Sequence, residues 1–184
     1  MKREDQIDLS FEEVKKTGLY ESIEAFSGYE IITLTSEQAN KCIGRGGRSL
    51  YTTKEGNKKH KGSLLIVEDG LFYRVYGDDA IILNYFFGYK ITKGNIVSFP
   101  EEAYSKVKNM LIGKGISLQI NSKDNRLLLI CFVKGNNYYK YLDIALENYN
   151  FNNKIENLVN KVKDLNQNKL NNLLSLIEDY LNDR

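Results

Sequence analysis

The stretch Leu64-Leu65-Ile66-Val67-Glu68-Asp69-Gly70-Leu71-Phe72-Tyr73-Arg74-Val75-Tyr76-Gly77-Asp78-Asp79-Ala80 decides the fold. Residues 64–67 and 71–76 are β-rich runs, and Glu68-Asp69-Gly70 between them is a hairpin signal. Gly77-Asp78-Asp79 then reads as the cap of a helix carrying Ile81, Ile82, Tyr85 and Phe86 and stopped by Gly88. Alternation along the second strand puts Phe72, Arg74 and Tyr76 on one face and Leu71, Tyr73 and Val75 on the other. An aromatic beside a cation on one face can stack on a base or wedge between base steps while the cation finds a phosphate. A half-buried strand face with an arginine at its edge has the same pattern.

Upstream, apolar residues at Phe11, Val14, Leu19, Ile23 and Phe26 predict a short helix or two helical turns over 10–27, and 29–34 reads as a strand. Thr35-Ser36-Glu37-Gln38 is a helix-start signal, with the helix ending at Gly44, and Glu55-Gly56-Asn57 marks a turn. Downstream, 89–92 reads as a short strand, and Pro100 opens a helix whose Glu101 and Glu102 suit the positive end of the dipole. That helix closes at Gly113-Lys114-Gly115. Three further strands are predicted over 116–120, 127–133 and 138–144, the last two joined by Gly135-Asn136-Asn137. The expectation is a mixed α/β (α+β) fold: a sheet of about five or six strands flanked by helices and followed by a C-terminal helical segment.

The asparagine-rich stretch 148–153 marks a boundary, beyond which Ile155, Leu158, Val159, Val162, Leu165, Leu170, Leu173, Leu174, Ile177 and Leu181 recur at helical spacing. Packing of this stripe on the domain and self-association through it are both open. The organisation expected is an N-terminal α/β extension over 1–62, an α/β core over 63–147 and the helical segment over 148–184.

With 184 residues, 42% hydrophobic and 27% charged, the chain has the mix of an ordinary soluble globular protein, which excludes a disordered tail, a collagen-like rod and a disulfide scaffold. No apolar run approaches the roughly 18 residues that span a bilayer, and Met1-Lys2-Arg3-Glu4-Asp5 leads into no apolar core of a secretory signal. Cys42 and Cys131 match no metal or redox spacing, so the chain reads as cytoplasmic and reduced, with Cys131 a core residue. Between Lys41 and Gly62 lie Lys41, Arg45, Arg48, Lys54, Lys58, Lys59 and Lys61 against Glu55 alone; this window carries +6, leaving −4 for the rest of a chain whose net charge is +2. Concentrated positive charge with glycines and Tyr51 interleaved is the footprint of a phosphate-binding surface, and equally of a solvated loop.

Catalytic constellations are scarce. His60 is the only histidine, Asp78-Asp79 and Glu101-Glu102 open helices and read as caps, and Gly44-Arg45-Gly46-Gly47-Arg48 lacks the ending of a Walker loop. The chain is expected to be no enzyme and to hold no cofactor or metal.

The quoted stretch resembles the N-terminal mismatch-recognition domain (domain I) of the MutS DNA mismatch repair proteins, which typically read Gly-Asp-Phe-Tyr-Glu-Leu-Phe and then Asp-Asp-Ala opening a helix. Gly70, Phe72, Tyr73, Asp78, Asp79, Ala80 and the closing Ile91-Thr92 fall in register. A second block, Phe99-Pro100-Glu101-Glu102-Ala103 through Leu111 to Gly115 and Ile120, is similar to that family's Ile-Pro-Tyr-His-Ala helix and the strand after it, so the likeness covers about 64–120. It implies a non-catalytic protein that binds duplex DNA, with preference for mismatched or distorted sites. Phe72 would be the wedge of the family's Phe-X-Glu motif. Arg74 stands where the glutamate is expected; a guanidinium only donates, so it would contact a groove or phosphate. Arg45, Arg48, Lys58, Lys59 and Lys61 would supply charge against the DNA backbone. The family's clamp, lever and ATPase domains have no counterpart here, implying a stand-alone domain without an ATP-driven cycle. A rival resemblance over 29–67, with Ile43-Gly44-Arg45-Gly46-Gly47-Arg48 at its centre, is to a minimal KH core that clamps single strands. A third expectation is a protein-interaction module that has lost DNA recognition, its C-terminal helices docking a partner or forming a homodimer.

Overall fold

The computed structural model describes residues 15–16, 18, 20–35, 37–38, 50–52, 58–60, 62–124, 126–132 and 135–182. Contacts divide the chain into two compact units, Met1–Leu146 and Glu147–Arg184.

The first unit is built on a seven-stranded mixed sheet in the order β1-β2-β9-β8-β5-β6-β7. Its strands are β1 (Ser22–Phe26), β2 (Tyr29–Thr35), β5 (Leu64–Asp69), β6 (Phe72–Tyr76), β7 (Ile96–Pro100), β8 (Leu118–Asn121) and β9 (Arg126–Phe132), while β3 (Leu50–Thr52) and β4 (Lys58–His60) form a separate two-stranded ribbon. All pairings within the large sheet are antiparallel except β5 with β8. Helices α1 (Gly77–Phe87) and α2 (Tyr104–Gly113) lie between the strands in sequence, and α3 (Tyr138–Lys163) follows β9. The α/β class is as the sequence implies, with one or two strands more than expected.

Four local readings need correction. Residues 22–26 form strand β1 rather than a helix, paired with β2 across the turn at Ser27-Gly28. Tyr89 to Thr92 is no strand: Thr92 makes only an isolated bridge to Ile96, and the edge strand is β7. Pro100 ends β7 and precedes a 3-10 turn, Glu101–Ala103, ahead of α2. Residues 138–144 open a helix, because the Asn136 side-chain oxygen accepts the Tyr138 N–H at 3.1 Å in an Asx turn. The capping box at Thr35 holds: Thr35 Oγ1 accepts the Gln38 N–H at 3.1 Å while Gln38 Oε1 accepts the Thr35 N–H at 2.9 Å. The remainder of that helix, and the turn at Glu55-Gly56-Asn57, lie outside the described residues.

Strand register fixes what each sheet face carries. Tyr73 and Val75 share a face with Val97 and Phe99 of β7, and with Leu64, Ile66, Leu118 and Ile120; all are buried, together with Ala80, Ile82 and Leu83 of α1 and Val107 and Leu111 of α2. Aromatic rings join the layers, with Tyr73 stacked on Tyr104 at 4.4 Å between centroids and on Phe99 at 5.7 Å. On the opposite face a second cluster, Ile32, Leu34, Leu127, Leu129 and Cys131, is buried under Tyr20 and Ile23. Burial pushes the Cys131 thiol well up, which leaves it a packing residue.

Burial, and behind it the charges of Tyr73 and Glu68, pushes the Tyr104 phenol from 10.0 up to about 12, and Tyr73 and Tyr138 shift in the same direction. A phenol that keeps its proton more tightly when folded contributes stability in full below its unfolded value. That contribution is lost as the pH rises through the folded value. The urea midpoint is therefore expected to fall steeply between pH 10 and 12, and Tyr104→Phe to flatten that fall. Circular dichroism at a series of alkaline pH values checks it; parallel curves for the two proteins would mean that the phenol titrates as freely folded as unfolded.

Candidate nucleic-acid interface

The hairpin of β5 and β6 turns through two residues, since Asp69 pairs with Phe72 and only Gly70 and Leu71 lie between. Gly70 has φ +67°, the left-handed conformation that a type II′ turn needs at its first central position and that a side chain resists. This tight turn holds Leu71 at the tip, 73% exposed, with Phe72 beside it at 51%. Neither side chain is buried by the core, in contrast to Tyr73 and Val75 further along the strand.

Phe72 and Arg74 do share a face, as alternation requires. Across β5–β7 that face also carries Val67, Asp69, Ser98 and Pro100, and Asp69, Phe72, Arg74, Ser98 and Pro100 are all exposed. The face is therefore open at the hairpin end of β5–β7, closed at Leu65 further along β5, and closed at β2–β9. Between the two regions Gln119 is buried, its amide donating to Asn121 Oδ1 at 3.0 Å.

Electrostatics at the tip differ from the sequence picture. Arg74 Nη2 lies 2.7 Å from Asp69 Oδ2, both side chains being about half exposed (47% and 48%). Lys123 Nζ sits 3.0 Å from Glu68 Oε1, and Glu68 Oε2 accepts the Lys123 N–H at 3.2 Å. A guanidinium already bound to a carboxylate must exchange that partner to meet a phosphate, so Arg74 is a weaker anion site than its position suggests. Of the other predicted DNA-facing residues, Lys58 and Lys59 lie in β4, paired with Thr52 and Tyr51 of β3. Arg45, Arg48 and Lys61 fall outside the described residues, so only Phe72 and Arg74 are seen together.

The acidic pair opening α1 is not a cap. The N-cap position is Tyr76, with no side-chain bond, and Asp79 is buried. Asp79 Oδ2 accepts the Leu65 N–H at 2.9 Å and Oδ1 accepts the Tyr138 hydroxyl proton at 2.7 Å. One carboxylate thus ties β5, α1 and the first turn of α3 behind the open face. Burial, then the charge of Asp79 and the hydrogen bond to it, push the Tyr138 phenol well up. Asn136 adds a second tie, donating to the Gly62 carbonyl at 2.7 Å and accepting the Ser117 N–H at 3.2 Å. Among the described residues no His, Cys, Asp and Glu cluster with the makings of a metal site occurs.

A strand with an exposed phenylalanine, a buried tyrosine after it and Asp-Asp-Ala opening the next helix follows the order of the sequence resemblance, whereas Arg74 departs from the glutamate of its Phe-X-Glu motif. Residues 52–128 match the family model for MutS domain I. This MutS domain I match takes in β5 to β8 and both helices between them, and it ends inside β9. It includes the hairpin tip with Leu71, Phe72 and Arg74. The KH alternative fails where its second helix should stand, because residues 50–52 form strand β3; its glycine loop lies outside the described residues. No curated protein matches the chain.

Leu71 and Asp69 were missed by sequence reasoning. Alternation puts Leu71 on one strand face with Tyr73 and Val75, and only the two-residue turn moves it to the tip. Asp69 looked like turn chemistry, and only the β5–β6 register brings it to Arg74.

Proposed function

We propose that the chain is a non-catalytic DNA-binding protein that engages duplex DNA through the tip of the β5–β6 hairpin. The observation that carries this reading is the half-exposed Phe72 on an open sheet face within the segment that matches MutS domain I. Leu71 beside it enlarges the apolar wedge. Side chains of this type unstack a base step at a cost of a few kcal/mol, least where the duplex is already mispaired or bent. Distorted duplex is thus the favoured substrate. Arg74 meets a phosphate or groove acceptor once it exchanges Asp69 for it. Lys58, Lys59 and Lys61, with Arg45 and Arg48, supply the long-range attraction. Each neutralised phosphate contributes about 0.9 to the slope of log affinity against log salt.

Fluorescence anisotropy on a homoduplex, a mismatched duplex and a single strand, at low and moderate salt, tests this. Binding is expected to be tightest to the mismatched duplex and to weaken steeply with salt. Replacing Arg45, Arg48, Lys58, Lys59 and Lys61 by glutamine is expected to lower the salt slope by roughly 0.9 for every phosphate that is no longer neutralised. Unchanged salt dependence removes the basic loop from the interface, and no binding to any of the three at low salt overturns the proposal. A second reading, a protein-interaction module, draws on the Arg74–Asp69 pair and on the exposed apolar side chains of the second unit.

A further inference from the structure

The second unit consists of α3 from Glu147 onward and helix α4 (Gln167–Asn182), joined by the short turn 164–166. No residue of α4 is buried, and the two buried residues of α3, Tyr138 and Ala145, both precede this unit. Apolar side chains nevertheless recur in each helix at alternating steps of three and four, the spacing of a coiled-coil seam. In α3 the seam is Phe151, Ile155, Leu158 and Val162, and in α4 it is Leu170, Leu174, Ile177 and Leu181. Val162 and Leu170, close to the turn, are partly buried, whereas Phe151 is 61%, Leu158 58% and Leu181 63% exposed. Seams built this way are otherwise found covered.

The seam residues Phe151, Ile155, Leu158, Leu174, Ile177 and Leu181 are 45% to 63% exposed and together bare on the order of several hundred Å², the size of patch that marks an interaction surface. The net charges of the two helices point to a second copy as the partner. Residues 147–163 carry Lys154, Lys161 and Lys163 against Glu147 and Glu156, and residues 167–182 carry Glu178 and Asp179 against Lys169. One helix is net basic and the other net acidic, so the surface is complementary to itself, as a twofold interface demands.

We infer that the second unit is a self-association module, in which the helix pair of one chain packs against that of a second copy as a four-helix bundle. The occupant of the exposed seam is a second copy of this chain. Sedimentation equilibrium of the full chain is expected to return twice the 21.2 kDa of one chain at micromolar concentration. Ile155→Glu with Ile177→Glu is expected to return the monomer, with far-UV circular dichroism of the sheet unit retained. A charge exchange separates pairing between chains from pairing within one. Lys154→Glu with Lys161→Glu makes both helices acidic, and Glu178→Lys with Asp179→Lys makes both basic. Each variant alone is expected to dimerise at least tenfold more weakly than the parent, and an equimolar mixture to recover the dimer. A parent chain that stays monomeric at 100 μM, or a mixture no better than its components, overturns the inference; the first result would leave the seam to a different protein.

Discussion

Phe72→Ala is expected to abolish the preference for mismatched over matched duplex while leaving homoduplex affinity close to that of the parent. Stacking of a base on an aromatic ring is worth about 1–3 kcal/mol, which is roughly five- to 150-fold in affinity at 1.4 kcal/mol per decade. The effect falls on the distorted substrate because only there is a base free to stack without first breaking a good pair. Phe72 is half exposed, so truncation costs the fold little. Its removal therefore reports on binding, and an unchanged melting temperature is the internal control. Leu71→Ala is expected to act in the same direction with a smaller size, since a leucine wedges without stacking. Equal binding of matched and mismatched duplex by the parent, or a preference that survives Phe72→Ala, would sink the wedge.

Asp79→Ala is expected to act the opposite way, on the fold and not on DNA. The substitution strands the buried Leu65 N–H and Tyr138 hydroxyl, which Asp79 holds at 2.9 and 2.7 Å. Each of the two buried donors that loses this acceptor costs about 1–3 kcal/mol, or about 2–6 kcal/mol for both. For a domain of this size that lowers the melting temperature by roughly 4–24 °C, at about 2–4 °C per kcal/mol. Tyr138→Phe removes one bond and is expected to cost less. The double substitution is expected to cost less than the two singles together, because the carboxylate and hydroxyl share one bond. Thermal melts of the four proteins measure this. Near-additive losses would mean that the Asp79–Tyr138 bond contributes nothing. If Asp79→Ala abolished DNA binding below its melting temperature, Asp79 would belong to the interface.

How far the sequence carried depends on the distance over which each element is decided. The β5 hairpin, α1 and its stop at Gly88, which sits at φ +67°, were all legible. Alternation, a glycine turn and a left-handed cap are properties of neighbouring residues. The strand Ser22–Phe26 was not legible, because Leu19, Ile23 and Phe26 fit a helical period as well as Ile23 and Ala25 fit a strand. Pairing with β2 decides between them. Residues 138–144 are rich in tyrosine and read as a strand, yet Asn136 starts a helix there. The insertion of β9 between β2 and β8 left no local trace at all. At the candidate interface Phe72 and Arg74 could be placed on one face from spacing alone. The ion pair that occupies Arg74 could not, since Asp69 reaches it only through the strand register. Asp79 was misassigned for a similar reason: position at a helix start suggests capping, and its actual acceptor duties go to residues 14 and 59 positions away.

The strand order has a practical consequence for anyone who would cut out the matched segment. Residues 52–128 end inside β9 and omit β2, which pairs with β9 from Tyr29↔Phe132 to Thr35↔Arg126. A fragment trimmed to those limits would lose most of its terminal strand and bare part of the flank of β8, with unpaired backbone groups beside Leu118 and Gln119. Such a raw margin is a template for stacking one molecule on the next. In the whole chain the margin is instead β1, five residues long and bearing Glu24, a short charged border of the kind that discourages fibre growth. A workable excision must therefore reach back at least to Ser22 and forward to Leu146, which keeps Asn136, Tyr138 and Ala145 with the sheet.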